Sequence, residues 1–296
     1  MKNCFFKIAD WSVQLCFACE DSLTGMQLLP SFAPFACEED EGNLLFSMHI
    51  DQNWTPVELT EHIKVCDTGN GDILVDRTSE GGYRFLIRNL NGEDCAVMQA
   101  SPDFSTCYCK LLGEREEQRA FGLNNAMMMA YAFAGAERGT LLVHASVVRH
   151  EGRGYAFVAK SGTGKSTQTQ NWLKMIPHCD LMNDDNPVVR VIDGQAWIYG
   201  SPWSGKTPCY RQIKAPLGAV TKIVRDTNNF VVRMQPLLAF NALLSSCSVM
   251  KWDTCTYRGI CETVKQVVEL VGVHALHCTK EPESAVVCRE QLIIES

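Results

Sequence analysis

The sequence predicts an α/β (α+β) chain: a mainly antiparallel β part followed by a domain of mixed strands and helices. Three observations carry this. Residues 1–113 hold short apolar or alternating runs separated by Gly- and Asn-containing turns. Over 114–139 the apolar spacing becomes helical. After 140, strand-like and helix-like segments alternate. The expected organisation is a β-rich accessory domain at 1–113, a connecting helix at 114–139 and a second domain at 140–296. A length of 296 residues suits one large or two modest domains at ~150 residues each.

In chain order, Leu44–Ile50, Asp72–Val75 and Tyr83–Ile87 read as strands, punctuated by turns at 68–71, 79–82 and 91–92. Glu114 to Ala136 lacks proline and repeats apolar residues at helical spacing, its methionines at 127–129 filling a core. Leu141–Arg149 and Tyr155–Ala159 flank Glu151-Gly152-Arg153-Gly154 and predict a hairpin. A helix from Lys165 to Met175 leads to a strand ending at Asp184-Asp185. A further strand is expected at Trp197–Gly200, and helices at Leu237–Met250 and Glu262–Val271. The tail closes with strands at Ala275–Cys278 and Ala285–Val287.

Composition narrows the function. Lys plus Arg number 27 and Asp plus Glu 34, a net charge of −7, which gives no general grip on nucleic acid. No uninterrupted apolar stretch reaches the ~18 residues that would span a membrane. Lys7 and Asp10 break the first apolar run, so a secretory signal is not expected. Fifteen cysteines, an odd number in a chain of this size, fit a reducing cytoplasm. Cys16 with Cys19 and Cys107 with Cys109 are close pairs, but only the first has zinc-type spacing, so they read as small hydrophobes in strands. Exposed edge strands of the first part are candidates for pairing two copies of the chain.

The strongest chemical signal is Ala159-Lys160-Ser161-Gly162-Thr163-Gly164-Lys165-Ser166-Thr167. It fits the phosphate-loop pattern with Ala159 in place of the first glycine. Gly162 and Gly164 permit φ > 0. The successive amides of Ser161 to Thr167 then form a nest for an anion at a helix N-terminus. Lys165 brings a mobile charge to the β and γ phosphates, and the Ser166 hydroxyl is a hard oxygen suited to Mg²⁺.

Asn183-Asp184-Asp185 follows, with Asp184 19 positions after Lys165. One intervening helix would bring this strand back beside the first, with both carboxyl ends on one crevice. Asp184 and Asp185 are then candidates for a metal ligand and a proton acceptor. Ser166 and Asp185 are the expected metal ligands. His144, in the strand of the hairpin that leads into the loop, is a further catalytic candidate. Ser201-Pro202-Trp203-Ser204-Gly205-Lys206 follows a strand and reaches the same edge; Lys206 or Arg211 is suited to neutralising a transferring phosphoryl group.

This order resembles the HPr kinase/phosphorylase family, and more distantly the ATP-dependent phosphoenolpyruvate carboxykinases, over residues 135–295. The resemblance implies an HPr-kinase/phosphoenolpyruvate-carboxykinase-like nucleotide-binding domain. It also implies active-site roles for His144, Lys165 and Asp184 or Asp185, with Ser166 on magnesium. The stretch at 201–206 is similar to that of HPr-kinase-like proteins of unassigned substrate. The expected function is an ATP- and Mg²⁺-dependent kinase acting on a hydroxyl of a protein, peptide or small molecule. The alternatives are a nucleotide-gated, non-catalytic binding module and a carboxykinase-like enzyme acting on a small dicarboxylic acid.

Overall fold

The computed structural model describes residues 2–18, 26–39, 41–205 and 207–294. It divides the chain into two compact units, Met1–Gly135 and Ala136–Ser296.

The first unit is one nine-stranded sheet. Its strands are β1 (Lys2–Ile8), β2 (Trp11–Phe17), β3 (Ala36–Cys37), β4 (Leu44–Ile50), β5 (Leu59–Asp67), β6 (Asp72–Thr78), β7 (Tyr83–Arg88), β8 (Asp94–Ala100) and β9 (Thr106–Leu111), in the order β3-β1-β2-β4-β9-β8-β7-β6-β5. Hairpins join most neighbours. Ala9 and Asp10, both at positive φ, close β1 onto β2 in the turn geometry that matches strand twist. Helix α1 (Glu116–Ala134) packs on this sheet and belongs to the first unit. Leu123, Ala126, Met127, Ala130, Tyr131 and Ala134 recur at helical spacing and are buried. The Tyr131 hydroxyl donates to the Ile8 carbonyl at 3.0 Å.

The second unit holds β10 (Thr140–Leu142), β11 (Ala145–His150), β12 (Arg153–Val158), α2 (Lys165–Met175), β13 (Cys179–Asp185), β14 (Val188–Ile192), β15 (Gln195–Tyr199), β16 (Lys214–Arg225), β17 (Phe230–Arg233), α3 (Pro236–Leu244), α4 (Thr254–Val271), β18 (Val273–Cys278) and α5 (Glu283–Ile294). Its sheet runs β10-β14-β15-β16-β12-β11-β13, with β18 beside β16 and β17 beside β18. Trp172 of α2 and Ile176 just beyond it meet Tyr155, Phe157, Ala219 and Leu276 on one sheet face, with Ala285, Cys288 and Leu292 of α5 beside them. Ile260, Val264 and Val267 of α4, and Ala239 and Leu243 of α3, pack with Val147, Ala156 and Val220 on the other.

This architecture corrects the expected fold class. Strand outweighs helix, 41% to 29%, and both sheets are mixed, so the expected α/β (α+β) class with a kinase-type nucleotide-binding domain does not describe the chain. The first sheet is antiparallel in most of its pairings but not throughout. In the first unit β2 pairs with β4, and β4 with β9, in parallel. In the second, β14, β15 and the start of β16 form an antiparallel meander where an α/β domain would place helical crossovers.

Individual elements differ as well. β13 does not return beside β12: β11 lies between them, antiparallel to both. The expected strand at Ala285–Val287 is helix α5, because Ala285, Cys288 and Leu292 share a helical face. The helix expected over Leu237–Met250 stops at Leu244, and the one expected from Glu262 begins at Thr254, where the Asp253 carboxylate accepts from the Thr256 N–H. No helix among the described residues is long and apolar enough to cross a membrane.

Candidate functional site

The site lies at one edge of the second sheet and follows from strand direction. β12 and β13 are both antiparallel to β11, so their carboxyl ends point the same way. β16 and β18 run parallel to β12 and end at that edge too. A carboxyl edge of this kind is where a ligand meets loop amides rather than a packed sheet.

The loop 159–164 leaves β12 and enters α2. Gly162 adopts φ 75° and Gly164 φ 130°, values open to glycine alone without strain. Thr163 N–H closes the turn on the Lys160 carbonyl at 3.1 Å. The first intrahelical bond runs from Gln168 N–H to the Gly164 carbonyl, so the amides of residues 164–167 have no intrahelical acceptor. Ser161, Gly162, Ser166 and Thr167 are exposed, and a Cβ added at Gly162 or Gly164 would meet open space.

Lys165 is buried, unlike its neighbours. Its Nζ lies 2.7 Å from His144 Nε2 and donates to the Ala159 carbonyl at 3.1 Å. Burial lowers the pKa of this ammonium, against the opposing pull of Asp185 and Asp184. His144 Nδ1 in turn lies 3.0 Å from Asp185 Oδ1. An ammonium donates to Nε2, so the ring proton sits on Nδ1 and points at the carboxylate. The result is a line Asp185–His144–Lys165.

His144 is not inside a strand. It occupies the break between β10, which pairs with β14, and β11, which pairs with β12 and β13. Val143 bridges to Cys247 and His144 N–H donates to the Ser246 carbonyl at 2.6 Å. This change of partners swings the imidazole to the edge, where it is 42% exposed.

Asp184 and Asp185 have separate neighbours, as adjacent strand residues should. Asp184 is buried and accepts from the Ser146 hydroxyl, and from Ser166 Oγ at 3.2 Å. Ser166 is thus paired with Asp184, and Asp185 with His144. Asp185 also accepts from Asn186 Nδ2 at 2.9 Å and sits at φ 146°, strained backbone for a residue with a side chain.

The stretch after β15 forms a strap over this end of β13. Gly205 N–H and Ser204 Oγ both donate to the Asp184 carbonyl, the latter at 3.0 Å. Asn183, fully buried, donates to Ser201 Oγ at 3.2 Å and accepts from Asn186 N–H at 3.1 Å. A Cβ at Gly205 would lie 3.2 Å from both the Asp184 carbonyl and Asp185 Cβ. A side chain there would push the strap away by a few tenths of an ångström. Trp203 is buried rather than lining the crevice. Lys206 lies outside the described residues.

Arg211 is not brought to the loop. Its guanidinium pairs with Asp180 at 2.8 Å and bonds the Leu181 carbonyl, and Arg149 pairs with the same carboxylate at 2.8 Å. Asp180 is five positions before Asp185, about 16 Å along the strand. Burial opposes ionisation there, but hydrogen bonds from both arginines outweigh it and hold the carboxyl below its ordinary range. A cavity of about 350 Å³ beside His150, Glu151, His178 and Arg289 also belongs to the far end of β11.

Among the described residues, no group of three or more His, Cys, Asp and Glu side chains is arranged to hold a metal. The hard oxygens at this edge are Ser166 Oγ with the Asp184 carboxylate beside it, and the Asp185 carboxylate, which is turned to His144. That donor set fits a Mg²⁺ ion that takes its remaining oxygens from phosphate and water. Ser146, Asn183, Ser201 and Arg225, which donates to the Gly162 and Thr163 carbonyls, complete the constellation. Asn183 and Ser201 lie in stretches the sequence marks, whereas Ser146 and Arg225 carry no motif and only the strand pairing brings them to the site. In comparisons with known proteins, no family model and no curated protein matches the chain.

Proposed function

We propose that the chain is an ATP- and Mg²⁺-dependent phosphotransferase that moves the γ-phosphoryl group to a hydroxyl of a protein, peptide or small molecule. The observation that carries this reading is the Asp185–His144–Lys165 line, set beside the Ser166–Asp184 pair at the mouth of a loop of exposed amides. The order of these residues along the chain, similar to that of the HPr kinase/phosphorylase family, supports it.

In this reading the amides of 162 and of 164–167 take the phosphates, and Lys165 brings its ammonium to the β and γ oxygens. Ser166 and Asp184 would hold Mg²⁺, which when bound neutralises charge on the phosphates. Asp185 is the proton acceptor. Its oxygens each accept one bond, from His144 and from Asn186, and each keeps a lone-pair direction for the incoming hydroxyl. The hydroxyl oxygen bonds to the γ-phosphorus, the bond to the ADP oxygen breaks, and the hydroxyl proton passes to Asp185. His144, donating through Nδ1, holds that carboxylate and ties it to Lys165. A cytoplasmic setting fits this chemistry, since every described cysteine is a free thiol.

The test is transfer of labelled γ-phosphate to candidate acceptors, read by mass spectrometry, for the wild-type chain and Lys165→Ala. Wild-type transfer that is lost in a folded variant supports the assignment. Normal turnover in the variant refutes it. ATP binding without product on any acceptor favours a nucleotide-gated binding module, and oxaloacetate consumption favours a carboxykinase-like enzyme.

A further inference from the structure

Arg225 is the last residue of β16, three positions beyond Lys222, the partner of Val158 at the end of β12. That overhang carries its guanidinium beside the phosphate loop. Nε donates to the Thr163 carbonyl at 3.1 Å and Nη2 to the Gly162 carbonyl at 2.5 Å. The planar fork thus holds two successive carbonyls at once, which a lysine ammonium cannot match in fixed geometry.

A trans peptide carries its N–H opposite its C=O. With the Thr163 carbonyl turned to Arg225, the Gly164 N–H is directed to the other side of that peptide plane. The Gly164 amide opens the run 164–167 that lacks intrahelical acceptors. Gly162 and Gly164 leave the turn free to rotate these planes, so something outside the turn has to fix them. The strand end that does so is anchored: Asp226 N–H donates to the Cys278 carbonyl at 3.0 Å, and the Asp226 carboxylate lies 2.9 Å from His277 Nδ1.

We infer that Arg225 is a positioning residue for phosphate binding: it sets the peptide planes of residues 162–164 so that the loop amides stand ready for an anion. This rests on the phosphotransferase reading and adds to it a residue that acts on ADP and ATP alike, because it works through the backbone and not on the γ-phosphate.

Two measurements on the full chain test it. In the first, ribose-labelled fluorescent ATP and ADP are titrated with Mg²⁺ against wild type, Arg225→Ala and Arg225→Lys. Losing two backbone-directed hydrogen bonds should weaken both nucleotides about tenfold in the alanine variant. Lysine should restore only part of it, and the melting temperature of this exposed site should stay nearly constant. In the second, hydrogen exchange over residues 160–168 is followed without nucleotide, and should quicken in both variants. Unchanged affinity with unchanged exchange overturns the positioning role and leaves the phosphotransferase reading standing. A loss confined to ATP and fully rescued by lysine also overturns it, since that marks a cation touching the γ-phosphate. Faster exchange in a chain whose wild type binds neither nucleotide shows Arg225 ordering the loop but overturns its role in phosphate binding together with the phosphotransferase reading.

Discussion

Asp184 and Asp185 differ by one position and by nearly everything around them. Asp184 is buried under two serine hydroxyls, and Asp185 faces a histidine and an asparagine at the edge. The two carboxylates therefore fail differently when neutralised. Asp185→Asn should lower the turnover number by roughly 10²–10⁴, the usual worth of a positioned base, with nucleotide affinity kept. Asp184→Asn should instead raise the Mg²⁺ concentration needed for half-maximal rate. Steady-state kinetics over a Mg²⁺ series separates the two, and identical effects would remove the division of labour. Asn183 acts one step further back. Asn183→Ala removes a buried donor to Ser201 and Trp203 and the acceptor of the Asn186 N–H, and should cost about 1–3 kcal/mol in denaturant unfolding.

At the scale of the element, α2 is held by Trp172, fully buried with ring centroids 5.1 Å from Tyr155 and 5.7 Å from Phe157. Trp172→Ala should destabilise by about 3–5 kcal/mol, read by urea titration, and should loosen the loop that α2 terminates. The far end of β13 is pinned by Asp180 between Arg149 and Arg211. A carboxyl held below its ordinary range contributes stability that is present above the unfolded value of about 3.9 and is lost as the pH falls through the folded value. Asp180→Asn should therefore melt lower than wild type near pH 6, and the gap should close on acidification toward pH 2–3.

These elements also show what was legible. Helix α2 was readable end to end, because two glycines at positive φ and a lysine mark its start and Ile176-Pro177 its finish. The acidic end of β13 was marked by Asn183-Asp184-Asp185 itself, and chain length allowed a single helix before it. The strand between β12 and β13 was not, since a hairpin can fold to either side of the strand that it precedes. Helix α5 was hidden because Ala285-Val286-Val287 is as apolar as a strand, and only Cys288 and Leu292 beyond it reveal the helical period. His144 was recognisable as a residue but not as a break, because the change of pairing there depends on β14 and on Cys247, both distant in sequence. Ser146 and Arg225 had no local signal, as a serine or arginine in a strand looks like any surface residue.

For the whole molecule, charge and architecture point the same way. A net charge of −7 gives no long-range pull on a triphosphate, so attraction has to be local, from the loop amides and Lys165. Every residue assigned here to the site lies in Ala136–Ser296. That unit also contains both layers of helix that cover its sheet, with clusters built around Val147, Ala156 and Val220 on one face and Tyr155, Phe157 and Trp172 on the other. A fragment of residues 136–296 should therefore unfold in one cooperative transition and bind Mg²⁺-ATP within about twofold of the full chain, as expected of a unit with its own core. Calorimetry and nucleotide titration check this. A fragment that folds but does not bind would assign part of the phosphate site to residues 1–135, and one that does not fold would show that those residues complete its core.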